Sequence, residues 1–178
     1  MKRSLWILFL LLAPHAGFAQ DMEYRIKAEF LERFTRFIEW PADSTVSDTR
    51  IPFHVCVIGK NPFGVYLEEM AEDVKIRSKY AEVLEIENTD RVGACDLLFI
   101  PSSESERLQE ILEKTADQPI LTVGDSQGFS KRGVLINFLK KGNRIQFEVN
   151  SAAAKKSRLR FSSRLMALAV QQEEEKGD

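Results

Sequence analysis

The sequence predicts a single α/β domain. The expected fold is three-layered and Rossmann-like, with a mostly parallel sheet, a C-terminal antiparallel hairpin and a preceding N-terminal helix. Short apolar runs bounded by proline or glycine alternate with segments of helical periodicity over residues 52–123. Two β-rich runs, 134–139 and 144–149, then flank a Gly-Asn turn. A chain of 178 residues, 44% of them apolar, has the size and composition of one globular domain.

The first 19 residues predict a secretory signal peptide. Lys2 and Arg3 open the chain, an uninterrupted apolar run follows, and Gly17 and Ala19 supply the small residues of a cleavage site. The apolar run is shorter than the roughly 20 residues that a membrane helix needs. We therefore expect cleavage after Ala19, export of the chain, and no membrane insertion of the mature chain.

Residues 21–39 predict an amphipathic helix that is capped by Asp21 and ended by Pro41. Its apolar arc is wider than a surface helix needs. Deep packing in the core is one explanation of this width, and contact with another chain is the other. The candidates for partner contact are the three aromatic residues Phe30, Phe34 and Phe37.

The remaining elements follow from periodicity and turn residues. Strands are expected over residues 52–59, 81–86, 95–100 and 119–123, with helices near 63–72 and from about 103 to 116. Ser103 and Glu106 have the spacing of a capping box. Two short helices, near 151–157 and 162–170, follow the hairpin, with Phe161, Leu165 and Leu168 on one face. Residues 171–178 are acidic and are expected to be disordered.

The mature chain has few of the residue types and spacings that are typical of catalytic sites. The formal charge of the whole chain is −2, with no block of basic residues, so binding to nucleic acid through its phosphates is not expected. After loss of the leader His54 is the only histidine, and the spacings typical of metal ligands and of nucleophilic serines are missing. The sequence therefore predicts a protein that is not an enzyme, with no catalytic residues, no metal and no cofactor.

The expected carboxyl edge of the sheet is the place where a small ligand would bind. A Gly-rich loop over residues 59–64 follows the first strand, but it lacks the Lys-Ser/Thr pair of a phosphate-binding loop. Gly64 in this loop and Asp125, which follows the strand at 119–123, are the candidates for such a ligand site. The turn-forming habits of aspartate favour the alternative, in which Asp125 is a turn or N-cap residue.

Cys56 and Cys95 are the only cysteines in the chain. Each lies on or beside a predicted strand, and these strands can be neighbours in an α/β sheet. In an oxidising compartment the pair can form a disulfide, and two separate buried thiols are the alternative.

Ten segments, taken in order and spacing, resemble the YfiR/HmsC-like family of exported proteins. They are YRIKAEFL (24–31), FIEWP (37–41), CVIG (56–59), NPFG (61–64), CDLLFI (95–100), LTV (121–123), INF (136–138), RIQFEVN (144–150), AAA (152–154) and SSRL (162–165). The resemblance covers residues 24–169, which is nearly the whole mature chain. It implies a periplasmic α/β domain that is not an enzyme.

The resemblance also implies a function. Better-known members bind the periplasmic sensor region of an inner-membrane diguanylate cyclase and repress it, which restrains cyclic-di-GMP output and biofilm. The partner of other members is a sensor kinase or another receptor, and members tend to be homodimers with redox-linked activity. Cys56 and Cys95 match one family cysteine pair, whereas the second pair of some members has no counterpart after Leu121. The alternative function is a periplasmic sensor or carrier of a small ligand.

Overall fold

The computed structural model describes residues 16–170, with side chains from residue 21 onwards. The predicted leader, apart from its last four residues, and the predicted acidic tail lie outside this range. The helices are α1 (Ala16–Thr35), α2 (Tyr66–Asp73), α3 (Leu108–Thr115), α4 (Phe129–Arg132), α5 (Ser151–Lys156) and α6 (Ser163–Leu168). The strands are β1 (Ile38–Glu39), β2 (Phe53–Ile58), β3 (Ala81–Ile86), β4 (Leu97–Ile100), β5 (Leu121–Gly124), β6 (Ile136–Lys141), β7 (Arg144–Val149) and β8 (Arg160–Phe161).

The central sheet has six strands in the order β3-β2-β4-β5-β6-β7. All neighbours are parallel except β6 and β7, which form an antiparallel hairpin. The expected fold class, parallel sheet and hairpin are therefore confirmed. The chain leaves β2 for β3 on one side and returns to β4 on the other, so the carboxyl ends of β2 and β4 form the switch point of the sheet.

Alternation along the strands builds two hydrophobic layers. In β2, Val55 and Val57 face the layer under α1, α2, α5 and α6, whereas Cys56 and Ile58 face the layer under α3 and α4. All four side chains are fully buried, as expected for a strand covered on both faces. No helix within residues 16–170 is both long and apolar enough to cross a membrane.

The N-terminal helix differs from the prediction at both ends. Helix α1 begins at Ala16, so Asp21 is not its cap but accepts a hydrogen bond from the Tyr66 hydroxyl (2.8 Å). The helix ends at Thr35 rather than near residue 39, because Ile38 and Glu39 pair as strand β1 with β8. The sequence of the helix gives no sign of this pairing, since β8 lies more than a hundred residues away.

Two further local predictions were wrong. Helix α3 begins only at Leu108, after a 3₁₀ turn at Ser102–Glu104, and no side chain caps its start. The predicted capping box of Ser103 and Glu106 does not form. In the C-terminal segment, Phe161 belongs to β8 and Leu168 is 60% exposed, so only Leu165 of the predicted apolar face is buried in the core.

Candidate functional site

The three aromatic residues that were candidates for partner contact lie in different environments. Phe34 is 1% exposed and belongs to the core, with its ring centroid 4.9 Å from that of Phe147 and 5.5 Å from that of Phe138. A role for Phe34 in direct partner contact is therefore wrong, because the sheet covers it. Phe30 is partly buried on the same aromatic cluster, 6.0 Å from Phe138.

Phe37 lies just beyond the end of α1 and is also partly buried. Its carbonyl oxygen accepts the backbone N–H of Ser162, and the guanidinium of Arg164 lies 5.8 Å from its ring centroid. This residue therefore joins α1 to the C-terminal segment. Phe30 and Phe37 keep accessible surface that another chain can contact.

A buried ion-pair cluster holds the first half of α1 to the sheet. The ammonium group of Lys27, whose side chain is 4% exposed, lies 2.8 Å from Asp125 Oδ2 and 2.7 Å from Glu23 Oε1. Lys140 on β6 approaches the other oxygen of Glu23 at 2.6 Å, and the Tyr24 hydroxyl donates to Asp125 at 2.9 Å. Two cations and two carboxylates balance, which offsets the cost of burying charge.

The cluster changes the titration of its members. Burial would raise the pKa of Glu23, but hydrogen bonds from Lys140 and Lys27 outweigh burial and hold this pKa below its ordinary value. Burial and the neighbouring Asp125 carboxylate raise the pKa of the Tyr24 hydroxyl well above its ordinary value. At neutral pH Glu23 is therefore charged and the Tyr24 hydroxyl is protonated, which are the states in which both side chains make these contacts.

The two candidates for a ligand site at the carboxyl edge therefore have distinct surroundings. The side chain of Asp125 is 3% exposed and is engaged by Lys27 and Tyr24, so it is neither open to a ligand nor a turn residue or cap. Gly64 is exposed and has a φ of +58°, in the left-handed region that favours glycine. Its conformation explains the glycine without a ligand.

The switch point of the sheet is filled by a side chain of the protein itself. Glu104, which follows β4, is 8% exposed and its carboxyl group lies against Gly59, where any side chain would collide with it. Arg107 pairs with the same carboxyl group at 3.1 Å. A carboxylate at this position repels anions, so the loop over residues 59–64 does not form the phosphate site that its place in the fold would allow.

His54, the single histidine of the predicted mature chain, makes contacts within and beside the sheet. Its backbone N–H donates to Asp96 Oδ2 at 2.8 Å, and its ring nitrogen lies 3.7 Å from Glu82 on the neighbouring strand. Within residues 16–170 no group of His, Cys, Asp and Glu side chains is placed to hold a metal ion.

Cys56 and Cys95 form a disulfide, as the sequence analysis favoured, with a Cα–Cα distance of 5.7 Å. It joins the middle of β2 to Cys95, which follows a 3₁₀ turn at Thr89–Ala94 and lies two residues before β4. The excursion of the chain through α2 and β3 lies between the two cysteines, so the link closes a loop that contains both elements.

A groove that the sequence analysis did not predict lies between α5, β8 and α6. We call it the basic groove: its volume is about 560 Å³, and its lining includes Lys155, Arg158, Arg160, Phe161 and Met166. No carboxylate lines it among the described residues. The signal was present in the sequence, since residues 150–170 contain five basic and no acidic residues. This basic run indicates a groove only once the fold is known, because the fold places these cations around one concave surface.

The solved structures place this fold among known ones. A conserved domain protein from Vibrio cholerae superposes with a TM-score of 0.54 at 8% sequence identity, over 83% of this chain. The chain spans 59% of the length of that protein, and the likeness at this identity concerns the fold alone. No curated protein matches the sequence. The fold and surfaces define a small, disulfide-linked α/β domain with a charged surface groove.

The family follows from the sequence. The model of the YfiR/HmsC-like family matches residues 24–170, so the chain belongs to this family, as its ordered segments indicated. The family is periplasmic and regulatory rather than catalytic.

Proposed function

We propose that this protein is an exported regulatory binding protein and not an enzyme. It binds the periplasmic sensor region of an inner-membrane diguanylate cyclase and represses it, so that it limits cyclic-di-GMP and biofilm formation. The observation that carries this proposal is the family match over residues 24–170. A sensor kinase in place of the cyclase is the alternative partner within the same class.

The interior of the domain is consistent with binding rather than catalysis. The carboxylates of Asp125 and Glu104, at the edge where α/β enzymes gather their reactive groups, are engaged by Lys27 and Arg107. These contacts fix helices and loops to the sheet. The same engagement gives no support to the alternative function, a small-ligand sensor or carrier that uses this edge.

Export is part of the proposal. The predicted leader of residues 1–19 and cleavage after Ala19 deliver the chain to the periplasm, where the Cys56–Cys95 disulfide persists. N-terminal sequencing of the periplasmic protein should begin at Gln20. A periplasmic chain that still carries Lys2 would contradict cleavage.

Phe30 and Phe37 are the proposed contacts with the partner or with a second copy in a homodimer. Each aromatic ring has an arginine near it, Arg33 at 6.0 Å from Phe30 and Arg164 at 5.8 Å from Phe37. Aromatic and arginine side chains together are the composition that is enriched at protein interfaces.

Site-specific photo-cross-linking tests the partner directly. A photoreactive phenylalanine analogue replaces Phe37 in the exported chain, and the matched control carries it at Tyr80, which is 73% exposed beside the edge strand β3. We expect the Phe37 chain to capture a membrane protein with a cytoplasmic cyclase or kinase domain, and the Tyr80 chain not to capture it. Capture of no membrane signalling protein from either position would contradict the proposed function.

A further inference from the structure

Charge is unevenly distributed along the chain. Residues 131–170 contain ten basic residues and a single acidic one, Glu148, in a chain whose formal charge is −2. Part of this excess converges on the basic groove between α5, β8 and α6. The groove is therefore a positively charged surface on a protein that is acidic as a whole.

Nearby carboxylates compensate the groove only in part. Arg158 contacts both carboxylate oxygens of Asp43, at 2.6 and 2.8 Å, while Arg160 lies 3.8 Å from Glu39 with its side chain 85% exposed. No carboxylate of the described residues pairs with Lys155. Positive charge thus remains available at the groove for a further acidic group.

The groove also has the shape to hold a chain segment. Ala154 is buried, and Phe161 and Met166 are partly buried, so the cations surround an apolar base. An extended segment can lay its backbone over such a base while its carboxylates reach the surrounding cations. A concave surface of this kind suits a peptide better than the flat face of a lipid bilayer.

An acidic segment of the same chain begins close by. Residues 171–178 contain four acidic residues and one basic residue, with Glu173, Glu174 and Glu175 in succession. They follow Val170, whose N–H donates to the Phe147 carbonyl on β7, and α6 just before it carries Met166 of the groove. Glu173 lies three and Glu175 five residues beyond Val170, which is about 10 and 17 Å of extended chain, so the three glutamates can meet a groove that the adjoining helix α6 lines.

We propose that residues 171–178 bind in the basic groove of their own chain and cover it. The contact joins the glutamate carboxylates to Lys155, Arg158 and Arg160. Each exposed ion pair is weak, but the tether keeps the local concentration of the segment at about the millimolar level. The cover is therefore reversible and salt-sensitive, and an acidic segment of another protein must displace it to reach the groove.

Zero-length carbodiimide cross-linking of the mature chain, followed by mass spectrometry of the peptides, tests this proposal. The reagent couples a carboxylate to an amine only when the two are in contact. We expect amide links from Glu173, Glu174 or Glu175 mainly to Lys155 at low salt, and their loss at about 1 M salt, where screening acts over about 3 Å.

Lys141 is a matched reference lysine. It pairs with Arg144, which lies three residues along β7 from Phe147, so the tail can reach it as well. Replacing the groove arginines, Arg158→Gln with Arg160→Gln, should remove most links to Lys155, whereas Arg144→Gln should leave them unchanged.

Three results would overturn the proposal: links spread evenly over Lys155 and Lys141, no links from the glutamates, or links only between copies. A mixture of isotope-labelled and unlabelled chains separates links within one chain from links between copies. None of these outcomes bears on whether the protein represses a membrane partner, so the proposed function is tested separately.

Discussion

Reduction of the Cys56–Cys95 disulfide should lower the stability of the domain without changing its fold. Both cysteines are buried, at 0% and 4% exposure, and reduction removes no side-chain atoms, so it leaves no cavity in the core. The loss then comes mainly from the unfolded chain, which is no longer closed into a loop. For a sequence separation of 39 residues, the loop-closure relation gives about 4 kcal/mol.

For a domain of this size, that loss corresponds to a fall in melting temperature of about 8–16 °C. Thermal unfolding of the mature chain with and without reductant, followed by circular dichroism, measures it. The Cys56→Ala, Cys95→Ala double variant should melt no higher than the reduced wild type and should not respond to reductant. An unchanged melting temperature on reduction, with free thiols verified by mass spectrometry, would refute the reasoning.

Three further predictions concern the packing of the domain. Lys27→Met should lower the free energy of unfolding by about 3–5 kcal/mol in urea denaturation, because Asp125 is left buried without a cation. Asp125→Asn should lower the free energy of unfolding by less, since Lys27 still pairs with Glu23. Additive losses in the double variant would contradict the coupling between Lys27 and Asp125. Because the folded pKa of Glu23 is lowered, its contribution is present above its ordinary pKa of 4.5 and lost as pH falls through the folded value. The stability difference between wild type and Glu23→Gln should therefore vanish in acid, and a difference that persists there would contradict this assignment. Ser78 has a φ of +67° in a two-residue turn, so Ser78→Gly should raise the free energy of unfolding by about 0.5–1 kcal/mol. A lower free energy of unfolding for this variant would count against strain at the turn.

The sequence was sufficient for the features that depend on local pattern. Apolar runs bounded by proline and glycine located the strands of the sheet, and the Gly-Asn turn located the β6–β7 hairpin. The disulfide followed from the placement of Cys56 on one strand and of Cys95 beside the neighbouring one. In each case the signal lies within a few residues or in a single pair.

The features that escaped prediction depend on contacts between distant residues. The end of α1 is set by the pairing of Ile38 with Phe161, and the pairing of Asp125 with Lys27 joins residues that are 98 positions apart. The inward position of Glu104 depends on the glycine beside it in the fold. The aromatic residues of α1 illustrate the same limit: periodicity identified the apolar face, but only the packing separates the core residue Phe34 from the accessible Phe37.

The most direct test of the central proposal is the intracellular level of cyclic-di-GMP in the source organism. Strains to be compared lack the protein, carry the full chain with its leader, or carry the same chain without residues 1–19. We predict that deletion raises cyclic-di-GMP, that the exported chain restores the lower level, and that the leaderless chain does not. An unchanged level on deletion, or equal restoration by the leaderless chain, would contradict repression of a diguanylate cyclase from the periplasm.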